Sequence, residues 1–244
     1  MKTKFIAFCF FLMIITDIHS AFSDDWKRIY LATYPRSGNH WARYLIEEVT
    51  HIATGSAYCD PDPQHMKQIF PWGGYCCDHG YEGTCRYPTK DDYVVIKTHY
   101  PGQSGHPEFH FSDYIQTLRI VRNPLDAFYS QYERLSGGKP LPIVPRKTVI
   151  KYIKTWKRFQ EYWNNKRDVI TVRYEDMLKD PEKELRTIIS AIKYEATDED
   201  IIRAVQKYPP QGYELKHRDK FTEEDIQLMN REMKKYLKQF NYEI

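Results

Sequence analysis

Apolar residues in this chain fall into short runs separated by stretches with helical spacing. Arg28 to Thr33 (Arg-Ile-Tyr-Leu-Ala-Thr) predicts a strand closed by Tyr34-Pro35, and Trp41, Leu45 and Val49 recur as one face of a helix. Tyr93 to Thr98 and Ile115 to Val121 predict two more strands, and Asp168 to Arg173 a fourth. Pro124 opens a helix through about Leu135, with Asn123 as its N-cap and Gly137-Gly138-Lys139-Pro140 at its end. Thr148 to about Lys166 predicts a long helix with Ile153, Trp156, Phe159 and Trp163 on its apolar side. Asp180-Pro181 starts another, Thr197 to Asp200 has the form of a capping box, and a last helix after Thr222 carries Ile226, Met229, Met233, Leu237 and Phe240 on one face. Short apolar strands separated by helices imply a parallel sheet covered on both faces. The expected fold is a single α/β domain without an interdomain linker.

Two segments break that pattern. Met1 to Lys4 is a basic start, and Phe5 to Ile15 is an unbroken apolar run of eleven residues, against the ~20 a spanning helix needs. A polar stretch and the small-x-small pattern Ala21-Phe22-Ser23 follow, so residues 1–23 read as a secretory signal peptide and 24–244 as the domain. An uncleaved membrane anchor is the competing reading. The second segment, residues 54–92, loses all periodicity and is rich in Pro and Gly. It holds Cys59, Cys76, Cys77 and Cys85. Export and an even count favour two disulfides, excluding the vicinal pair. Zinc competes through His79, but no C-x-x-C pair is present. Tyr58, Trp72, Tyr75, Tyr81 and Tyr87 of the same insertion either shape a pocket for an acceptor or pack it against the sheet.

Composition narrows the function classes. With 41% hydrophobic and 15% aromatic residues the chain has ample surface to bury, which excludes disorder, and the absence of a repeat excludes fibres. The 36 Lys+Arg against 33 Asp+Glu leave only +3, or +2 once Lys2, Lys4 and Asp17 are removed. That small excess argues against a nucleic-acid partner, so any anion site must be local.

Three junctions offer such a site. Thr33-Tyr34-Pro35-Arg36-Ser37-Gly38-Asn39-His40-Trp41 links the first strand to the first helix, where backbone N–H groups and the helix dipole favour an anion. Gly38 lets the loop approach a ligand, and Arg36 offers a planar fork for phosphate or sulfonate oxygens. Lys97-Thr98-His99 ends the second strand, where an imidazole would stand at the ligand edge of an open sheet. Arg122 ends the third, with Ser130 eight residues on in the next helix. Each has a bland reading as well: a capped turn, a structural histidine, and an Arg122–Asp126 ion pair beside a Ser130 bonded to a carbonyl. Three on one sheet edge are harder to set aside.

Together these residues resemble the sulfotransferases that use 3′-phosphoadenosine 5′-phosphosulfate (PAPS). Residues 33–41 are similar to the family's 5′-phosphosulfate loop, Lys97-Thr98-His99 to the strand end carrying its base, and Val121 through Ser130 to its 3′-phosphate motif. Val172-Arg173-Tyr174-Glu175-Asp176-Met177 is similar to a later segment whose Tyr lies against adenine. The Tyr-Pro-Arg-Ser-Gly-Asn loop is closest in flavour to sulfotransferase domains of WSC-domain proteins. The resemblance implies a P-loop-like fold in which Arg36, Ser37, Gly38, Asn39 and His40 hold the phosphosulfate. It also implies that Trp41 and Tyr174 contact adenine and that Arg122 and Ser130 grip the 3′-phosphate. His99 would deprotonate an acceptor hydroxyl, with Lys97 and Arg36 stabilising charge, and no metal is required. The family's late Arg-Lys-Gly-x-x-Gly loop is absent, and Lys216-His217-Arg218 is its substitute. The acceptor is a glycan, a small molecule or a tyrosyl peptide, met in the secretory lumen or outside the cell. A secreted protein that binds nucleotide or glycan without turnover is the alternative. A kinase is disfavoured by the missing Gly-Lys-Ser/Thr loop.

Overall fold

Strand β1 (Lys27–Thr33) runs through the middle of a five-stranded parallel sheet of order β2-β3-β1-β4-β5. The computed structural model describes residues 27–56, 91–101, 114–138, 142–211 and 217–244. The expected signal segment, the four cysteines of the insertion and Lys216 lie outside them. β3 (Tyr93–Thr98) and β4 (Tyr114–Val121) flank β1, while β2 (Gly55–Ser56) and β5 (Val169–Arg173) take the edges. The chain therefore leaves β1 toward one side and returns to its other side at β4. Ligands bind beyond the carboxyl ends of strands at such a switch point.

Alternation along the strands divides the core. Ile29, Leu31, Leu118, Ile120 and Val172 face α1 (Asn39–Thr50), α5 (Pro181–Ala191) and α6 (Asp198–Lys207). Tyr30, Ala32, Ile96 and Val121 face α2 (Pro124–Leu135), α3 (Arg146–Asn164) and α7 (Glu223–Gln239). The short α4 (Tyr174–Lys179) follows β5 without a break. The second face is unusually aromatic, with Phe128, Trp156, Phe159 and Trp163 all fully buried. Trp163 also donates its indole N–H to the Tyr100 carbonyl at 2.8 Å, so its polar edge is satisfied.

The caps follow the sequence closely. The Asn123 side chain accepts from Leu125 N–H with Pro124 next in line, Asp180 caps α5, and Thr197 and Asp200 complete a reciprocal capping box at α6. The Arg122–Asp126 ion pair, the bland alternative for this junction, does not form. Asp126, 2% exposed, instead accepts from His217 Nδ1 at 2.8 Å, and the His217 ring stacks on Tyr129.

Trp156 sits where α3 and α7 close over the sheet. Trp156→Ala should lower unfolding free energy by about 3–5 kcal/mol, measured by urea denaturation; a loss below 1 kcal/mol would contradict this packing.

Candidate active site

The loop leaving β1 turns through two left-handed positions, Arg36 at φ 67° and Gly38 at φ 94°. Gly38 fits for a second reason. A Cβ there would lie 2.4 Å from Cδ2 of Tyr174, so only hydrogen lets the Tyr174 ring pack against the turn. Gly38 is also the N-cap of α1, with no side-chain cap, which leaves the first N–H groups of that helix directed out of the turn. Beside them Ser37 Oγ and Asn39 Oδ1 are buried and have no hydrogen-bond partner among the described residues. Buried polar atoms of this kind are costly unless a ligand completes them.

His99 emerges from β3 next to the end of β1. Its Nδ1 lies 2.7 Å from the Thr33 carbonyl oxygen, with Thr33 Oγ1 at 3.1 Å. A carbonyl only accepts, so Nδ1 carries the proton and Nε2 presents the lone pair. Burial first and then the Lys97 ammonium push His99 down to about 3, so it is a neutral imidazole at neutral pH. His40 is lowered to about 4, by desolvation first and then by the positive charges of Lys97, Arg43, Arg36 and Arg134.

Arg122 lies with its guanidinium 4.6 Å from the centre of the Tyr174 ring and donates to the Arg36 carbonyl at 2.9 Å. Its buried Nε has no partner among the described residues. Arg36 Nε donates to Ser130 Oγ at 2.8 Å, so the turn after β1 and the helix after β4 are joined directly. Trp41 meets Tyr174 edge to face at 6.0 Å and donates to the Tyr208 carbonyl. These groups surround one cleft of about 640 Å³ at the carboxyl edge of the sheet, lined among others by Arg36, His40, Lys97, His99, Arg122 and Tyr174.

Residues 27–238 match the family described as the sulfotransferase domain. The chain belongs to the sulfotransferase family. It is 26% identical over 198 residues to the WSCD family member CG9164 of Drosophila melanogaster, covering 76% of this chain and 56% of that protein. It is 22% identical over 187 residues to rat sulfotransferase 1C2, covering 68% of this chain and 62% of that protein. The chain thus spans less than two thirds of these relatives. Among solved structures, Mycobacterium avium sulfotransferase STF9 superposes with a TM-score of 0.60 at 12% identity, over 95% of this chain and 82% of that one. Mouse SULT7A1, solved in complex with PAP, gives 0.54 at 17% identity over 88% and 84%. At these identities the superpositions establish the fold.

Within that fold, every described residue expected at the site except Ser37 borders the cleft or bonds one that does; Ser37 is buried in the turn between Arg36 and Gly38, which do line it. Ser130 is of the second kind, through Arg36. Arg43, Tyr44, Arg134, Lys207 and Tyr208 line the cleft as well and were not anticipated. Arg43 and Tyr44 stand one helical turn beyond His40, and Arg134 one turn beyond Ser130, so helical spacing would have found these three. Nothing local marks Lys207 or Tyr208. Of the late substitute loop, His217 is taken by Asp126 and Arg218 pairs with Glu223. No group of three His, Cys, Asp or Glu side chains able to hold a metal ion occurs among the described residues.

Gly38→Ala should leave the fold intact by circular dichroism yet weaken nucleotide binding about tenfold or more, because the turn must shift away from Tyr174. Unchanged affinity by calorimetry would show that the close approach has no role in binding.

Proposed function

We propose that this chain transfers the sulfonate group of PAPS to an acceptor hydroxyl. The observation that carries the reading is the pairing in one cleft of a tautomer-fixed, neutral His99 with buried, unsatisfied polar atoms on Asn39 and Arg122, and with the unsatisfied Ser37 hydroxyl in the turn beside it. The Ser37 hydroxyl, the Arg122 Nε–H and the open N-terminus of α1 all donate, and so suit a ligand with anionic groups at two places, while Asn39 Oδ1 would accept from a donor of that ligand. The loop 36–41 would hold its 5′ end, Arg122 and Ser130 its 3′-phosphate, and Trp41 and Tyr174 its adenine. PAPS supplies the sulfonate group itself.

The chain's own part is binding and proton handling. His99 Nδ1–H is anchored on Thr33, so Nε2 is held ready to accept the acceptor's proton. Burial first, and then the positive charges of Lys97 and Arg134, keep His99 weakly basic. An anion bound beside Lys97 offsets that charge and raises the imidazole toward useful basicity. The acceptor is a hydroxyl of a glycan, a small molecule or a tyrosyl peptide. Residence in the secretory lumen or outside the cell belongs to the same proposal and is carried by the sequence of residues 1–23. The low basicity of His99 is the observation that favours the second reading, a nucleotide-binding protein without turnover.

Calorimetry with adenosine 3′,5′-bisphosphate should show wild-type binding and a loss of about 1.5–3 kcal/mol in Arg122→Ala; equal affinities would remove Arg122 from the site. With labelled PAPS and pooled hydroxyl acceptors, His99→Ala should abolish transfer while nucleotide affinity stays near wild type. No transfer by the wild-type chain to any acceptor, with nucleotide still bound, would favour the second reading.

His99 also sets an acid limit. Its folded value of about 3 lies below the ordinary value of 6.5, so the unfolded chain binds more protons between those pH values. Stability from this group is present above about 6.5 and is lost as pH falls toward 3. The stability difference between wild type and His99→Gln should therefore shrink on acidification from pH 7 to 4, measured by thermal unfolding. A difference constant across that range would refute it.

A further inference from the structure

Helix α3 carries Arg146, Lys147, Lys151, Lys154, Lys157 and Arg158 against the single carboxylate Glu161, a surplus of five positive charges in a chain whose net charge is +3. The surplus is not spread evenly around the helix. Arg146 pairs with Asp225 and Lys157 with Glu232, both on α7. Lys147, Lys151, Lys154 and Arg158 are exposed, and none of their side chains forms a hydrogen bond, ion pair or ring contact within the described residues. Their spacing of four, three and four puts them on one face of the helix, a single file about 16 Å long at 1.5 Å per residue. Like charges at these spacings oppose helix formation. The aromatic side of the helix accounts for its folding, and nothing in the core requires four adjacent cations outside.

We propose that this row is a docking surface for a linear polyanionic polysaccharide, separate from the nucleotide cleft. Width decides the class of partner. Glu161 on α3 and Glu232 on α7 line the groove beside Lys154 and Arg158, so a broad anionic surface such as a bilayer or a duplex would also meet carboxylates. A narrow chain can follow the cations and avoid them. Stacking on unpaired bases has no platform here, because Tyr152, Trp156, Phe159 and Trp163 of the same helix are buried. A shallow groove of about 470 Å³ runs beside the row between α3 and α7, with Ile150 and Leu228 offering apolar area to sugar faces. The attraction is electrostatic and is screened by salt.

Heparin serves as the probe, with the whole chain and with affinity read from salt elution and from calorimetry at fixed salt. Changing Lys147, Lys151, Lys154 and Arg158 together to Gln should weaken binding about tenfold or more and flatten its salt dependence. A variant with the same loss of charge, Lys179, Lys193, Lys234 and Lys238 to Gln, should bind as wild type does. Equal weakening of both variants would reduce the effect to net charge and overturn the proposal. Displacement of heparin by adenosine 3′,5′-bisphosphate would overturn it too, by placing the polymer in the cleft. Duplex DNA or phosphatidylserine vesicles bound as tightly as heparin would overturn the assignment to a polysaccharide. The row lies outside the donor site, so loss of sulfonate transfer and loss of heparin binding are separate results.

Discussion

Two left-handed backbone positions in the turn after β1 determine most of what lies above the sheet. Gly38 adopts its conformation without steric cost, whereas Arg36 does so against the preference of a residue bearing a Cβ. The strain at Arg36 is offset by what it joins: its carbonyl accepts from Arg122 and its Nε donates to Ser130. Because the turn is this tight, α1 begins at once and its open end faces the cleft. Because Gly38 has no side chain, Tyr174 can pack against it and take Arg122 on its ring. The turn after β1, the Tyr174 ring and Arg122 are thus one assembly, drawn from three distant stretches of sequence.

The parallel register supplies the other half. β1 pairs with β3 so that Ala32 opposes Thr98, which brings His99 beside Thr33. A slip of one residue would turn the imidazole to the other face of the sheet and break its bond to the carbonyl. The His99 ring is oriented by the Thr33 backbone carbonyl, and no carboxylate among the described residues is bonded to its Nδ1. This is consistent with a cleft whose other named groups are cationic or neutral.

Much of this was legible in the sequence, for identifiable reasons. Strand ends, Pro and Gly punctuation and capping residues are local, so Tyr93–Thr98, Pro124–Leu135, the Asn123 cap and the Thr197 box lie where the pattern put them. The short strand Gly55–Ser56 and the six-residue helix Tyr174–Lys179 carry too few apolar positions to show a period. Contacts between remote residues were the least visible. Arg36 meets Ser130 across 94 residues and His217 meets Asp126 across 91. No spacing rule reaches that far, and so Arg122 was free to be read as a partner for Asp126.

The crowding of like charge in the cleft has a thermodynamic side. Arg36 is held below its usual value by burial and by the guanidiniums of Arg134 and Arg122, which means that the folded chain keeps these groups together against their mutual repulsion. Residues chosen for packing alone would not be arranged so. An anion that settles among them relieves the repulsion, and because the unfolded chain has no such cluster, occupancy of the cleft draws the folding equilibrium with it. A domain whose cleft takes up such an anion would gain resistance to heat and proteolysis in step with the supply of that anion.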